Sequence, residues 1–400
     1  MKILQINACY NRGSTGRMVK EMHQFFLSNG HDSYIFVPSY YGNDERIFNI
    51  GCKFDYLWHS LMSKITGLQG YFSIVSTLLL LRKISKIKPD IVHLHNLHNN
   101  YINLPFLFRY LKKNNVATVI TMHDFWFMTG HCCYFTSDNC MKWQKDCGKC
   151  PAINTYNNSW FFDNSSWLRK KKEVYFTDLK RLAVIGNSEW TTQEAAKSFL
   201  KKAFILDNVY NWINTDIFYP RNKKECREKY NFKLSEFIIL GVSQCWSILK
   251  GLDVIESLAK RNPSYHFVLI GEIHDQRLFP DNMTVVGLVR HADILSEYYS
   301  LSDVYINPSV QETFGLVTAE AISCGLPVIA NNVTAIPELV LEGCGYVVEN
   351  NNIKQIEQKL SIMKHEKRNR EQMHKLAGSV FGKKNIGKYV SLYTRLLVND

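Results

Sequence analysis

The sequence predicts an α/β protein of two domains, each built on a parallel sheet. Three observations carry this expectation. The chain has 400 residues, more than one ordinary core organises and enough for two domains of roughly 200. Its start reads as a strand from Lys2 to Asn7, a glycine-bearing loop from Asn11 to Arg17, an amphipathic helix from Met18 to Leu27 and a second strand from Ser33 to Val37. Residues 302 to 332 repeat that order. A buried strand from Val304 to Ile306 breaks at Asn307-Pro308-Ser309, a helix runs from about Leu316 to Ser323, and after Gly325 and Pro327 a strand from Val328 to Ala330 closes the unit. Strand, loop, helix and strand make the crossover of a parallel sheet.

Composition narrows the class. With 46% hydrophobic and 21% charged residues the chain is globular rather than disordered. The opening MKILQINACY lacks the apolar stretch of a signal peptide. The most apolar run, Leu78 to Leu81, is too short to span a bilayer. A cytoplasmic location is therefore expected, peripheral to the inner face of the membrane. The net charge of +12 serves solubility or attraction to an anionic membrane surface. Basic clusters at Arg169-Lys170-Lys171-Lys172, Lys201-Lys202 and Lys223-Lys224 are dispersed and come with no nucleic-acid motif. Nucleic acid is not an expected partner.

The remaining elements follow in order. Residues 70 to 88 read as a helix, and Pro89-Asp90 breaks it before a strand from Ile91 to His95. A helix over 102–114 precedes the buried strand Ala117 to Met122. Residues 152 to 172, rich in Asn, aromatics and Lys, suggest a loop and a short helix. The strand Leu182 to Ile185 leads to Ser188, a good N-cap for a helix from about 190. After a strand from Phe204 to Leu206, a hinge is expected between about 207 and 222. Strands at 237–242, 266–270 and 284–286 open the second domain. The segment 353–397 is helical, with an apolar face of Tyr389, Leu392, Tyr393, Leu396 and Leu397.

Several residues carry chemistry. Glu312 precedes the predicted helix at the carboxyl edge of the sheet, where open α/β sheets bind ligands. Glu320 lies within the helix. Between them, unpaired amides near Gly315 and Leu316 offer an anion seat. A phosphate seat flanked by carboxylates suits a nucleotide-sugar, since carboxylates accept strong hydrogen bonds from sugar hydroxyls. His123 and Asp124 follow the strand Ala117 to Met122, either as a polar group at the sheet edge or as a pair capping a helix. His93 and His95 share one face of their strand, as core residues or at the border of a site. Eleven cysteines in a cytosolic chain point to thiols or metal ligands rather than disulfides. Cys132, Cys140, Cys147 and Cys150 offer four thiolates; Cys147-x2-Cys150 has half-knuckle spacing, while Cys132 and Cys140 lie further apart than the usual knuckle. A structural zinc site and free or transiently paired thiols both fit, an iron–sulfur cluster less well. Cys133 or His131 could substitute as a ligand.

The run Pro308-Ser309, Glu312, Phe314-Gly315, Glu320-Ala321, Ser323-Cys324-Gly325 and Pro327-Val328-Ile329 resembles the signature of retaining family 4 glycosyltransferases. The run PDIVHLHN at 89–96 and the HDFW at 123–126, followed by a Cys/Trp-rich insertion, resemble enzymes of that family that build bacterial surface polysaccharides, as for colanic acid, capsule or lipopolysaccharide. The resemblance implies the GT-B fold: two Rossmann-like parallel-sheet domains facing a central cleft, with a C-terminal helix returning to the N-terminal domain. It sets an acceptor domain at 1–210 with the insertion at 131–151, a donor domain at 211–380 and the returning helix at 381–400.

By the same resemblance, Glu312 approaches the transferred sugar, Glu320 holds the ribose, and Gly315 and Leu316 bind phosphate through their backbone. Lys250 neutralises the diphosphate, Gly16 faces donor phosphate and acceptor, His123 faces the reacting sugar, and His95 and Asp124 lie on the acceptor side. The family's usual arginine is replaced by Ser243-Gln244, so donor binding weakens or another base compensates. The sequence contains no Asp-x-Asp pair, and no catalytic metal is expected. The implied partners are a UDP- or GDP-linked sugar donor and a glycan or lipid-linked glycan acceptor. The alternative is a catalytically silent protein of the same fold that binds a nucleotide or glycan.

Overall fold

A computed structural model describes residues 1–155, 158–274 and 277–398. The chain forms two compact units, Met1–Val209 with Ile386–Asp400, and Tyr210–Asn385.

The first unit holds β1 (Lys2–Ile6), β2 (Asp32–Val37), β3 (Ile47–Asn49), β4 (Ile91–Leu94), β5 (Ala117–Met122), β6 (Leu182–Gly186) and β7 (Ile205–Asn208). They form one parallel sheet in the order β3-β2-β1-β4-β5-β6-β7. The order reverses between β1 and β4, the topological switch point where such sheets bind ligands beyond the strand ends. The register sets Gln5 beside His93 on β4. Strands β4, β5 and β6 are buried along their whole length, which accounts for their unbroken apolar character. Ser188 caps the helix Glu189–Ala196 by accepting the Thr191 amide, as its position before the helix predicts.

The second unit holds β8 (Ile238–Cys245), β9 (His266–Glu272), β10 (Met283–Gly287), β11 (Val304–Asn307), β12 (Val328–Asn331) and β13 (Gly345–Val348), in the order β10-β9-β8-β11-β12-β13, all parallel. Its switch point lies between β8 and β11. The two expected site segments follow those strands: Lys250 after β8 and Pro308 to Glu312 after β11. On β12, Val328, Ile329 and Ala330 are wholly buried. Burying a Val or Ile side chain contributes about 1.5–3 kcal/mol.

The helix Asn385–Val398 belongs to the first unit from Ile386 onward. Tyr389, Leu392, Tyr393 and Leu396 are buried as the apolar face predicts. Tyr393 hydrogen-bonds the His93 ring at 2.7 Å, and the Tyr389 and Thr121 hydroxyls meet at 2.9 Å. The change of unit comes at Ile386 rather than at residue 381 because residues 381–385 still bond to the second unit. Ile213 donates its amide to Phe381 O at 2.8 Å, and Asn385 reaches Tyr210 O at 3.3 Å.

Candidate functional site

Two groups of polar residues lie at the carboxyl edges of the two sheets. In the second unit, the loop after β11 begins with Asn307, whose Oδ1 accepts the Ser309 amide at 3.1 Å and whose Nδ2 donates to Thr318 Oγ1 at 2.9 Å. The second bond ties the loop to the helix Leu316–Ser323. Glu312 is fixed through its amide, which donates to Thr334 Oγ1 at 3.0 Å. Lys250 ends a short helical turn after β8, and the next residue, Gly251, has φ +74°. A Cβ at Gly251 would stand 2.6 Å from Pro308, so glycine lets the two loops meet. Across that contact Lys250 Nζ and Glu312 Oε1 form an ion pair at 2.5 Å.

Gly315, with φ +95°, starts the helix, and Glu312 Cγ lies 3.7 Å from where a Gly315 side chain would begin. In the first turn the Thr318 amide donates to Gly315 O at 3.0 Å, while the Leu316 and Val317 amides come too early in the helix for an intrahelical partner. The second carboxylate, Glu320, is buried and accepts the Tyr299 hydroxyl at 3.2 Å. The buried Tyr305 phenol is pushed up first by burial and then by the Glu312 charge, with a smaller push from Glu320. Lys250, Glu312, Gly315 and Leu316 are thus adjacent, with Glu320 behind them. Where the missing arginine would stand, Ser243 Oγ donates to Cys245 O at 2.9 Å and Gln244 is exposed.

In the first unit, Gln5 Oε1 lies 3.2 Å from His95 Nε2, and His95 Nδ1 lies 3.0 Å from His123 Nε2. His95 has both ring nitrogens engaged and is buried, so it stands one layer behind His123 and orients it. Burial pushes His123 down to about 4, so the ring is neutral near pH 7. His93, beside them, turns to Thr121 Oγ1 at 2.8 Å and to Tyr393; it anchors the returning helix.

Asp124 accepts the Trp126 amide on Oδ1 at 2.8 Å and pairs with His98 Nε2 through Oδ2 at 2.8 Å. Burial works against both charges. The attraction and the hydrogen bond between them prevail, so His98 is held above its ordinary value and Asp124 below its own. His98 is a site residue that sequence reasoning missed. Its only sequence signal is a place in the polar loop that follows β4. The Cys133 thiol completes a trio with His98 and Asp124 whose donor atoms lie within 4.8 Å of one another. Gly16 packs its helix turn against the loop before it. A Cβ there would meet Asn11 N and Cys9 Sγ, each at 3.1 Å.

The insertion at 131–151 folds as turns around one short helical turn, Lys142–Gln144. Cys132, Cys140, Cys147 and Cys150 all line one small cavity. Burial raises the Cys132 thiol to about 12 and the Cys150 thiol to about 11.

Comparison with known proteins assigns the chain to a family. The description Glycosyltransferase Family 4 matches residues 15–216, half of the chain and more. The chain belongs to this family. A second description, Glycosyl transferases group 1, matches residues 222–379. Among curated relatives, the N-acetyl-alpha-D-glucosaminyl L-malate synthase of Bacillus anthracis is 25% identical over 49% of this chain and 55% of its own length. The chain thus spans about half the length of that relative. An uncharacterized 41.2 kDa protein in the cps region of Klebsiella pneumoniae is 26% identical over 79% of this chain and 78% of its own. Among solved structures, an Anabaena protein in complex with UDP and glucose superposes with a TM-score of 0.66 at 14% identity, covering 99% of each chain. The chain has the GT-B fold, two parallel-sheet α/β domains.

Proposed function

We propose that this family 4 protein is a retaining hexosyltransferase. It moves a sugar from a UDP- or GDP-linked donor to a glycan or lipid-linked glycan in bacterial surface-polysaccharide assembly. The observation that carries this reading is the Lys250–Glu312 ion pair at the start of the helix Leu316–Ser323. A cation and a row of helix amides suit a diphosphate, and a carboxylate beside them suits the sugar it bears. The relative in the cps region and the neighbour holding UDP and glucose support the substrate class.

In this mechanism Lys250 and the amides from Leu316 on take the charge that develops on the departing diphosphate. Glu312 turns from Lys250 to the sugar hydroxyls and stabilises positive character on the ring. Glu320, oriented by Tyr299, accepts the ribose hydroxyls. The acceptor hydroxyl attacks on the face the nucleotide leaves, and the departing phosphate oxygen takes its proton. The bond to the acceptor oxygen forms as the bond to the phosphate oxygen breaks, and no protein nucleophile is needed. The sequence has no Asp-x-Asp pair to hold a metal on the diphosphate, so Lys250 and the helix start carry that task. His123, set by His95, and the His98–Asp124 pair orient acceptor hydroxyls.

A thermal-shift screen against nucleotide-sugars tests this. The true donor raises the melting temperature by mass action, releases nucleotide on turnover with acceptor, and loses its effect in Glu320→Ala. Binding without any transfer or donor hydrolysis establishes instead the silent nucleotide-binding protein, which the exposed Gln244 in place of a cation favours. A panel in which no nucleotide-sugar binds overturns both.

The lipid-linked acceptor is supported by a surface of the first unit. The helix Lys53–Thr66 exposes Phe54 and Trp58, and the neighbouring segment exposes Trp160, Phe161 and Phe162. Lys64 lies 5.7 Å over the Trp160 ring, and Lys171 lies 5.3 Å over Trp167. Aromatics edged by lysines suit an anionic bilayer surface. No helix among the described residues is long and apolar enough to cross a membrane. Sedimentation with phosphatidylglycerol vesicles should carry the protein down, and Phe161→Ser with Phe162→Ser should release it; equal binding to neutral vesicles contradicts the electrostatic part.

A further inference from the structure

We propose that Cys132, Cys140, Cys147 and Cys150 hold one structural zinc ion that fastens the insertion at 131–151 to the first unit. This segment is long for a loop with one short helical turn, and such loops need a staple or an attached function. Its four thiols come from separate turns yet converge on one cavity of about 10 Å³, room for about one atom-sized sphere. Four sulfur donors select zinc or an iron–sulfur centre.

The Thr129 hydroxyl donates to Cys132 O at 2.5 Å, and the Gly130 and Ala152 amides lie near the Cys147 and Cys150 sulfurs. Zinc with four thiolates carries a net negative charge, and two buried basic side chains, Arg169 and Lys172, stand near the four cysteines. Burial pulls Lys172 down to about 7 against the pull of Cys133, Cys147 and Cys132, and its Nζ donates to Trp126 O at 2.6 Å and Thr129 O at 3.0 Å. Arg169 acts on Cys147, and its Nε donates to Trp143 O at 2.8 Å.

Cys133 is outside the set, because its thiol turns to Asp124 and His98. That trio is the tight one among the described residues; the four insertion sulfurs stand wider than its 4.8 Å spacing. Zinc–sulfur bonds of about 2.3 Å bring tetrahedral sulfurs to about 3.8 Å from one another, so the turns draw closer on binding.

The test is metal analysis of the full chain, purified under reducing conditions without added metal. About one zinc per chain is expected, lost in Cys147→Ser and in Cys150→Ser and kept in Cys133→Ser. Exchange of the wild-type protein with cobalt should give an intense thiolate-to-cobalt absorption band, a readout that does not depend on any variant folding. The proposal is overturned by wild-type protein that neither contains zinc nor takes up cobalt. It is equally overturned by stoichiometric iron with cluster absorption, by mass-spectrometric disulfides among the four cysteines, or by loss of zinc in Cys133→Ser equal to that in Cys147→Ser.

Discussion

Lys250 and Glu312 neutralise each other across two loops that meet only because residue 251 is glycine. That balance has a consequence for mutants. Glu312→Gln frees the Lys250 charge, so UDP or GDP binds at least as tightly by calorimetry, while the transfer rate falls about 100-fold or more. A fall in both, or in neither, contradicts the division of roles. Gly251→Ala places a side chain 2.6 Å from Pro308 at a positive φ. It should cost about 1–3 kcal/mol, read as a lower denaturant midpoint at unchanged slope. Each member of the ion pair was legible alone, from its motif. Their pairing was not, because it depends on how two loops from different strands cross. His98 shows the same limit. A loop residue has no periodicity to betray it, and its partner Asp124 follows another strand.

Elements whose ends carry strong punctuation were legible. Leu316–Ser323 lies between Gly315 and Gly325, and Ala117–Met122 is an apolar run buried throughout. The helix Lys53–Thr66 was not legible, because its pattern is inverted. It buries His59 and Ser63 and exposes Phe54, Leu57, Trp58 and Leu61. The short edge strands β3 and β13 give too few residues for a period. The helix Asn385–Val398 was legible from its apolar face, and its hold on β4 and β5 can be measured. Tyr393→Phe removes the hydroxyl on His93 and should cost about 1 kcal/mol. Leu396→Ala opens the apolar contact and should cost about 2–5 kcal/mol. Chemical denaturation ranks the two, and a larger loss for the tyrosine would mean that the polar contact dominates the seam.

Over the whole molecule, buried histidines set the response to acid. Burial lowers His59 to about 3 and His123 to about 4. The reason is plain at His59, whose Nε2 accepts the Gly70 amide at 3.2 Å and would oppose it if protonated. An unfolded histidine binds its proton near pH 6.5. Between about 6.5 and those lowered values the unfolded state holds more protons, so stability drops as pH drops, by at most about 1.4 kcal/mol per pH unit for each histidine. His98 runs the other way. Its raised folded value adds stability that is full below about 6.5 and fades as pH rises through that value. Asp124, held low, keeps its contribution until pH falls through its own lowered value. Urea midpoints measured from pH 7.5 down to about 4.5 should therefore decline, and His59→Gln should flatten the decline. A flat wild-type profile would refute the neutral assignment of these rings.

The return of the chain at Ile386 also orders events during synthesis. A ribosome delivers residues 1–209 well before the segment that covers Phe26, His93 and Thr121. The first unit therefore waits with that stripe bare while the second emerges and folds. A nascent chain stalled before residue 386 would be the form that chaperones hold longest, and one that ends past Leu396 would be free of them.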